Sequence, residues 1–316
     1  MRAFVTGGAG FIGSNLVERL LAEGHAVDVV DNLSTGSLAN LADARRNPDH
    51  EFSFQRLDIA SSAMAEIMAR RRPEVVYHLA ARGGAAASVN EPILDAEVNV
   101  LGSLRVLEGA RQAGARKVVF ATSGVAIYGE AGPGGLPVKE SAGHRPLSPH
   151  GVAKSSVAGY LATYRELHDL EYTALALASV YGPGQSPASA SGVVAILAGD
   201  LVAGRPGTIH GDGSQTRDFV YVDDVIDALA RAAERGSGLT LNIGTGVETS
   251  IRSLHALVAA VAGVSATPAY GPARPGEVKR SSLNPSRAAI HLGWKPWTTL
   301  DAGVAATVDW VRTAGP

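Results

Sequence analysis

In the first half of the chain, short runs of β-forming residues alternate with longer amphipathic stretches. The short runs Arg2–Thr6, Ala26–Asp31, Glu51–Arg56, Val75–His78, Lys117–Ala121 and Tyr172–Ala178 are predicted as strands. The stretches Phe11–Glu23, Ala63–Arg70, Pro92–Ala113 and Gly151–His168 have helical spacing, and several end at Gly or Pro. This alternation predicts an α/β fold of the Rossmann type, a doubly wound parallel sheet with helices on both faces.

Beyond Tyr181 the rhythm becomes mixed: Gly and Pro cluster at 182–184, 204–207 and 271–272, between helices predicted at Val193–Ala203, Val222–Ala233, Ile251–Ala262 and Leu300–Val311 and a short strand at Leu239–Ile243. The expected division is a cofactor domain of residues 1–179 plus 217–247. A smaller α/β lobe of residues 180–216 plus 248–316 would stand at the carboxyl edge of the sheet, where open α/β folds bind ligands.

Composition narrows the chemistry. The 28 basic and 30 acidic residues give a net charge of -2 with no long basic run, which disfavours nucleic acid as a partner. Cysteine is absent, so disulfides, thiolate nucleophiles and cysteine-bound zinc are excluded. The nine histidines show no His-Glu-x-x-His spacing, and no metal site is expected. No apolar stretch suits a membrane span, and a strand at the start leaves no room for a signal peptide, so a cytoplasmic protein is expected.

Glycines at 7, 10 and 13 lie between the first strand and the first helix. Such spacing supplies a tight turn, a close approach of backbone to pyrophosphate, and close helix packing, with helix N–H groups facing the anion. Asp31 ends the second strand, where its carboxylate would accept hydrogen bonds from the adenosine ribose and repel a 2′-phosphate, favouring NAD over NADP. Asp58, with Ile59, has two readings, an adenine contact or a helix N-cap.

These features belong to a longer ordered set: TGGAGFIG at 6–13, DNLSTG at 31–36, HLAA at 78–81, NV at 99–100, VYGPGQ at 180–185, GDGSQTRDFVYVDD at 211–224, NIGTG at 242–246 and RPGEVKR at 274–280. On them the chain resembles the extended short-chain dehydrogenase/reductase family, in its UDP-glucose 4-epimerase-like branch. The resemblance implies an NAD-dependent isomerase that epimerises a nucleotide sugar, UDP-linked, through transient oxidation at C4. It also implies cofactor contacts at Gly7, Gly10, Phe11, Ile12, Gly13, Asp31, Asn32, Ser34, Gly36, Asp58, Ile59, Leu79, Ala80, Ala81, Asn99 and Lys154. Substrate contacts would be Ser88, Ser179, Arg217, Arg274 and Glu277, the arginines gripping the diphosphate with their planar forks. A surface ion pair with a neighbour such as Asp218 is the competing reading of Arg217. A homodimer is implied too, with Pro92–Ala113 and Gly151–Arg165 pairing into a four-helix bundle.

The chain departs from that family where a Tyr-x-x-x-Lys pair is usual: Lys154 is present, but His150 holds the tyrosine's place. Imidazole titrates near neutrality and can act as a base. Its outer nitrogen falls about 2 Å short of a tyrosine oxygen, against a proton-transfer distance of about 2.6–3.2 Å. Lys154 and a positive nicotinamide would oppose the imidazolium. The usual hydroxyl position before Tyr128-Gly129 is Gly124, with Ala126 at the alternative place, leaving Ser123 and Thr122 as local candidates. Ser123 reads either as a donor to the sugar oxygen or as a loop cap, and Ser179 replaces the usual Asn. The expected catalytic set is therefore Ser123, His150 and Lys154. A relative performing another oxidised-sugar reaction, dehydration or decarboxylation, and an impaired binding protein remain alternatives.

Overall fold

A computed structural model describes residues 1–187, 192–274 and 277–314. Seven strands form one parallel sheet: β1 (Arg2–Thr6), β2 (Ala26–Asp31), β3 (Phe52–Arg56), β4 (Val75–His78), β5 (Lys117–Ser123), β6 (Glu171–Leu177) and β7 (Leu239–Ile243), in the order β7-β6-β5-β4-β1-β2-β3. Residues of β1 alternate between two cores, as a period of two requires. Ala3 and Val5 join Leu16, Leu20, Val29 and Tyr77 on one face, while Phe4 joins Met64, Met68, Val76 and Leu107 on the other. The order reverses between β1 and β4, which opens the crevice where such sheets take their ligands.

Helix α1 (Phe11–Ala22) covers the first face. On the other lie α2 (Pro92–Ala96), a π turn over Glu97–Gly102, α3 (Ser103–Ala113) and α4 (Pro149–His168). The stretch expected as one helix over Pro92–Ala113 is thus re-registered midway. Apolar periodicity does not reveal the widened turn, because polar bonds hold it: Asn99 bonds both the N–H and the C=O of Arg82 at 2.9 Å, and Ser103 Oγ donates to the Asn99 carbonyl at 2.7 Å.

A third core gathers helices Val193–Val202, Ile251–Ala262 and Leu300–Ala314 around Leu197, Leu254, Val304 and Val308. Asp218 joins this region to the sheet. Its carboxylate accepts from Thr245 N and Oγ1, Gly246 N and Leu283 N, all within 3.1 Å. Among the described residues no helix is long and apolar enough to cross a membrane.

Candidate active site

β1 ends at Thr6 and the chain turns at Gly7, whose φ of +73° suits glycine, before α1 begins with Gly10 as N-cap. No side chain caps α1, so its first N–H groups and its dipole are available to an anion. A Cβ on Gly13 would lie 2.1 Å from the Gly7 oxygen, and one on Gly7 would lie 2.7 Å from Ala80 N. Gly13 therefore lets α1 seat on the turn, and Gly7 lets the segment after β4, Leu79–Ala80–Ala81, pass beside it. A Cβ on Gly10 would meet only the Gly7 oxygen, at 3.3 Å, which leaves its outer side open, as a dinucleotide pyrophosphate requires. Gly13→Ala is expected to cost ~1–3 kcal/mol by overpacking and to lower the NAD recovered with the purified protein. Unchanged denaturant midpoint and NAD content would refute this account.

Asp31 sits at the tip of β2, beside the turn. Its Oδ2 accepts from Ala9 N at 3.0 Å and its Oδ1 from Leu33 N at 2.8 Å, so it orders the turn while each oxygen keeps a further lone pair for a hydroxyl. The segment 31–36 folds back over the glycines: Gly36 packs on Ala9, where a Cβ would come within 2.8 Å of backbone. Asn32 Oδ1 accepts from Ser34 N at 2.9 Å, and Asn32 Nδ2 donates to Asp58 Oδ2 at 2.7 Å. Asp58 Oδ1 accepts from Ala60 N at 2.8 Å, capping a turn ahead of Ile59–Ala60. It is not a helix N-cap, for the next helix starts at Met64 behind Ala63.

The second cluster forms where β5 and α4 converge. Ser148 caps α4, accepting from Gly151 N at 3.2 Å, and Pro149 occupies the first turn, where it needs no N–H partner. Lys154 is buried rather than solvated. Its Nζ donates to the Ala121 carbonyl of β5 at 3.1 Å and lies 4.8 Å from the Phe120 ring centroid. Burial lowers its pKa to about 8, against an opposing pull from Asp95. His150 is buried one turn earlier, with Nδ1 3.3 Å from Asn99 Nδ2 and 3.6 Å from Asp95 Oδ1. Its pKa is lowered by burial and then by Lys154, while Asp95 and the Arg82 carbonyl favour the protonated ring. Ser123 Oγ accepts from Ala126 N at 3.4 Å, a weak cap that leaves its own proton uncommitted.

On the substrate side, Arg217 lies largely buried in the short strand Thr216–Arg217 and pairs with Glu277 Oε1 at 2.8 Å and the Thr216 carbonyl at 2.7 Å. The expected alternative partner, Asp218, is committed to backbone donors instead. Arg274 is exposed, while Pro275 and Gly276 of the 274–280 motif lie outside the described residues. Ser179 starts a short strand paired with Phe219–Tyr221, and its N–H donates to the Asp218 carbonyl. Ser88 is buried in the helix Ala85–Asn90 and donates its hydroxyl to the Ala85 carbonyl at 2.7 Å. The structure thus brings Arg217 and Glu277 together, with the Arg274 carbonyl accepting from Glu277 N at 3.4 Å, and no hydrogen bond joins Ser88 to them among the described residues.

A family profile described as NAD dependent epimerase/dehydratase family matches residues 3–244. The chain belongs to this family. A UDP-glucose 4-epimerase of Mycolicibacterium smegmatis is 47% identical over 313 residues, covering 99% of each chain. The structure of UDP-glucose 4-epimerase from Thermotoga maritima with UDP-glucose superposes with a TM-score of 0.95 at 41% identity, covering 99% of both chains. That of the UDP-glucose 4-epimerase of Thermus thermophilus, in complex with NAD, gives 0.92 at 40% identity, covering 100% of both. The chain is accordingly an NAD-dependent nucleotide-sugar 4-epimerase, an isomerase.

Within this family frame two local features acquire a physical reason. At Gly124 a Cβ would come within 2.5 Å of Leu283 Cδ1, so a side chain there requires the buried Leu283 to shift. Thr122 Oγ1 is buried without a hydrogen-bond partner among the described residues. Asp95 was not among the sequence candidates, although its place four residues before Asn99 on a helical stretch puts both on one face, where Asn99 Nδ2 donates to Asp95 Oδ1 at 2.9 Å. His78 was also missed. Fully buried, with its pKa lowered to about 3 by burial, it bonds Thr6 Oγ1 and Ser103 Oγ, each at 2.8 Å, tying the end of β1 to the helix that follows Asn99.

Proposed function

We propose that this epimerase acts on a UDP-hexose, with His150 as the acid–base group and Lys154 as the positioning cation. The observation that carries the reading is that His150 and Lys154 lie buried side by side on α4, with Lys154 anchored to the end of β5. The glycine turn fits a dinucleotide, and NAD, when bound, takes up the hydride from sugar C4 and returns it. In this reading Gly7, Gly10, Phe11, Ile12 and Gly13 face its pyrophosphate, and Asp31 with the 32–36 segment faces the adenosine ribose. Asp58, Ile59, Leu79, Ala80, Ala81 and Asn99 line the remainder of the crevice, and Lys154 holds the nicotinamide ribose.

The lobe of residues 180–216 and 248–316 takes the nucleotide sugar. Arg217 commits two of its five N–H donors to Glu277 and Thr216, which leaves three for the diphosphate, and Arg274 supplies a second charge. His150 Nε2 takes the C4 hydroxyl proton through a bridging water, which makes up its shorter reach, as the carbon is oxidised, and returns it on reduction. Ser123 donates its free proton to the same oxygen. The UDP moiety is supported by the relatives with UDP-glucose in their names or structures. Incubating purified protein with UDP-galactose and following UDP-glucose by anion-exchange chromatography tests the reading. Conversion with a pH profile that rises through the His150 titration supports it, and no interconversion by protein that carries NAD overturns it.

The same reading makes the enzyme a cytoplasmic homodimer. Ile93, Leu101, Val152 and Leu167 are more than half exposed, and all lie on Pro92–Ala113 or α4, helices that pack on each other. Four such side chains in water favour a covered face. Light scattering should give twice the 32.5 kDa chain mass, and a monomer at micromolar concentration would refute the pairing.

A further inference from the structure

We propose that Asp95 is a positioning residue for His150, forming with it a carboxylate–imidazole dyad that supplants the usual tyrosine; this rests on the reading of His150 as the acid–base group. The argument starts from counting donors. Arg82 N donates to Asn99 Oδ1 at 2.9 Å, which fixes the orientation of the Asn99 amide. The two N–H groups of Asn99 Nδ2 then go to the Arg82 carbonyl and to Asp95 Oδ1, both at 2.9 Å. His150 Nδ1, a third neighbour at 3.3 Å, is left without a donated proton. In the dyad the ring proton sits on Nδ1, directed at the only carboxylate beside it among the described residues, Asp95, 3.6 Å away.

Asp95 also lacks something. It is 1% exposed, and its Oδ2 is buried with no hydrogen-bond partner among the described residues. A carboxylate in that condition is costly unless a donor reaches it. The 3.6 Å approach of His150 is to Oδ1, the oxygen that already accepts from Asn99, so a rotation of the carboxylate is what brings Oδ2 onto the His150 N–H, as substrate binding tightens loose resting geometry.

The chemical consequence is a defined tautomer. With the proton on Nδ1, Nε2 keeps its lone pair for a proton. The sugar O–H bond breaks, its proton passes to the bridging water as that water gives a proton to Nε2, and the C4 hydride and its electrons pass to NAD; reduction reverses each transfer. Asp95 then faces an imidazolium and offsets the opposing charge of Lys154. The groups that act on this ring are Lys154 on its own helix, Asp95 on α2 and the Arg82 carbonyl after β4. A histidine so supported is a working group, which separates this chain from an impaired binding protein.

The test combines nitrogen-15 NMR of histidine-labelled protein, with His150→Gln identifying the signal, and kinetics on UDP-glucose. In the wild type the neutral ring should carry its proton on Nδ1, and a ring protonated on Nε2 would overturn the dyad. Asp95→Asn should lower kcat by at least about 10-fold of the 10²–10⁴ that acid–base catalysis commonly supplies, with KM little changed. The ascending limb of the pH profile should move to lower pH, because the charge that favours imidazolium is gone; Asp95→Glu should restore part of both. A merely structural Asp95 would reduce stability without moving the limb or the tautomer. If the wild type leaves UDP-sugars unchanged but the tautomer responds to Asp95→Asn, the substrate reading fails and the dyad stands. If turnover occurs and neither limb nor tautomer responds, the dyad alone fails.

Discussion

Lys154→Met is expected to reduce epimerisation by roughly 10²-fold or more, within the range attributed to acid–base machinery, and at the same time to raise the melting temperature at pH 7. The second half follows from burial. Lys154 is 6% exposed and its pKa falls from 10.5 to about 8, with desolvation as the leading cause. Holding the cation inside at neutral pH therefore costs roughly 3 kcal/mol at about 1.4 kcal/mol per pKa unit. Methionine removes that cost and leaves the Ala121 carbonyl without its donor, a loss of about 1 kcal/mol. The balance is a gain of ~1–2 kcal/mol, or a few °C for a chain of this size. The sign can be checked with pH. Between about 8 and 10.5 the unfolded chain keeps the lysine proton and the folded chain loses it, so wild-type stability rises with pH in that window and the gap to the Met variant closes. Denaturation at pH 7 and pH 10 reads the difference. A variant that melts below the wild type at pH 7 would show that the bond to Ala121 outweighs the desolvation of the cation.

That a stabilising change should destroy activity explains why the sequence discloses some parts of this site and conceals others. Strand and helix periodicity speak for side chains whose burial lowers the free energy, and the seven strands of the sheet were legible within a residue or two for that reason. The tight turn at Gly7, Gly10 and Gly13 and the place of Asp31 beside it were legible as well, because glycines between an apolar run and a helix mark a sharp strand-to-helix turn. The π turn at Glu97–Gly102 was concealed, since it is held by the Asn99 side chain against the Arg82 backbone, a contact across 17 residues with no local signature. Asp95 and Asp218 each stand as an acidic residue beside apolar neighbours, Leu94 and Ala96 for one and Phe219 for the other. Among the described residues one lacks a partner for Oδ2, and the other accepts from the backbone of two distant segments. Only the folded chain distinguishes a carboxylate that needs a partner from one that provides structure. Gly124 reads as a lost hydroxyl until Leu283, 159 positions later, is found filling the space.

His150→Gln is expected to lower kcat by roughly 10²–10⁴-fold while leaving bound NAD in place, since the ring's polar contacts are Asn99 and Asp95 rather than the glycine turn. His150→Tyr is the more searching substitution when paired with Asp95. A phenol oxygen stands about 2 Å beyond the imidazole's outer nitrogen, so tyrosine gains reach toward the sugar for direct proton transfer. It has no second nitrogen to offer Asp95, and a phenolate near that carboxylate is disfavoured by like charge. The native carboxylate should therefore assist the histidine enzyme and do nothing for, or hinder, the tyrosine enzyme. In a four-member cycle on kcat/KM, Asp95→Asn should cost activity with His150 in place and cost none with tyrosine at position 150. The coupling should fall in the range of 0.5–3 kcal/mol, about 2- to 150-fold, common for residues in contact. Additive losses in the two backgrounds would mean that Asp95 supports the helix alone and that the imidazole works without it.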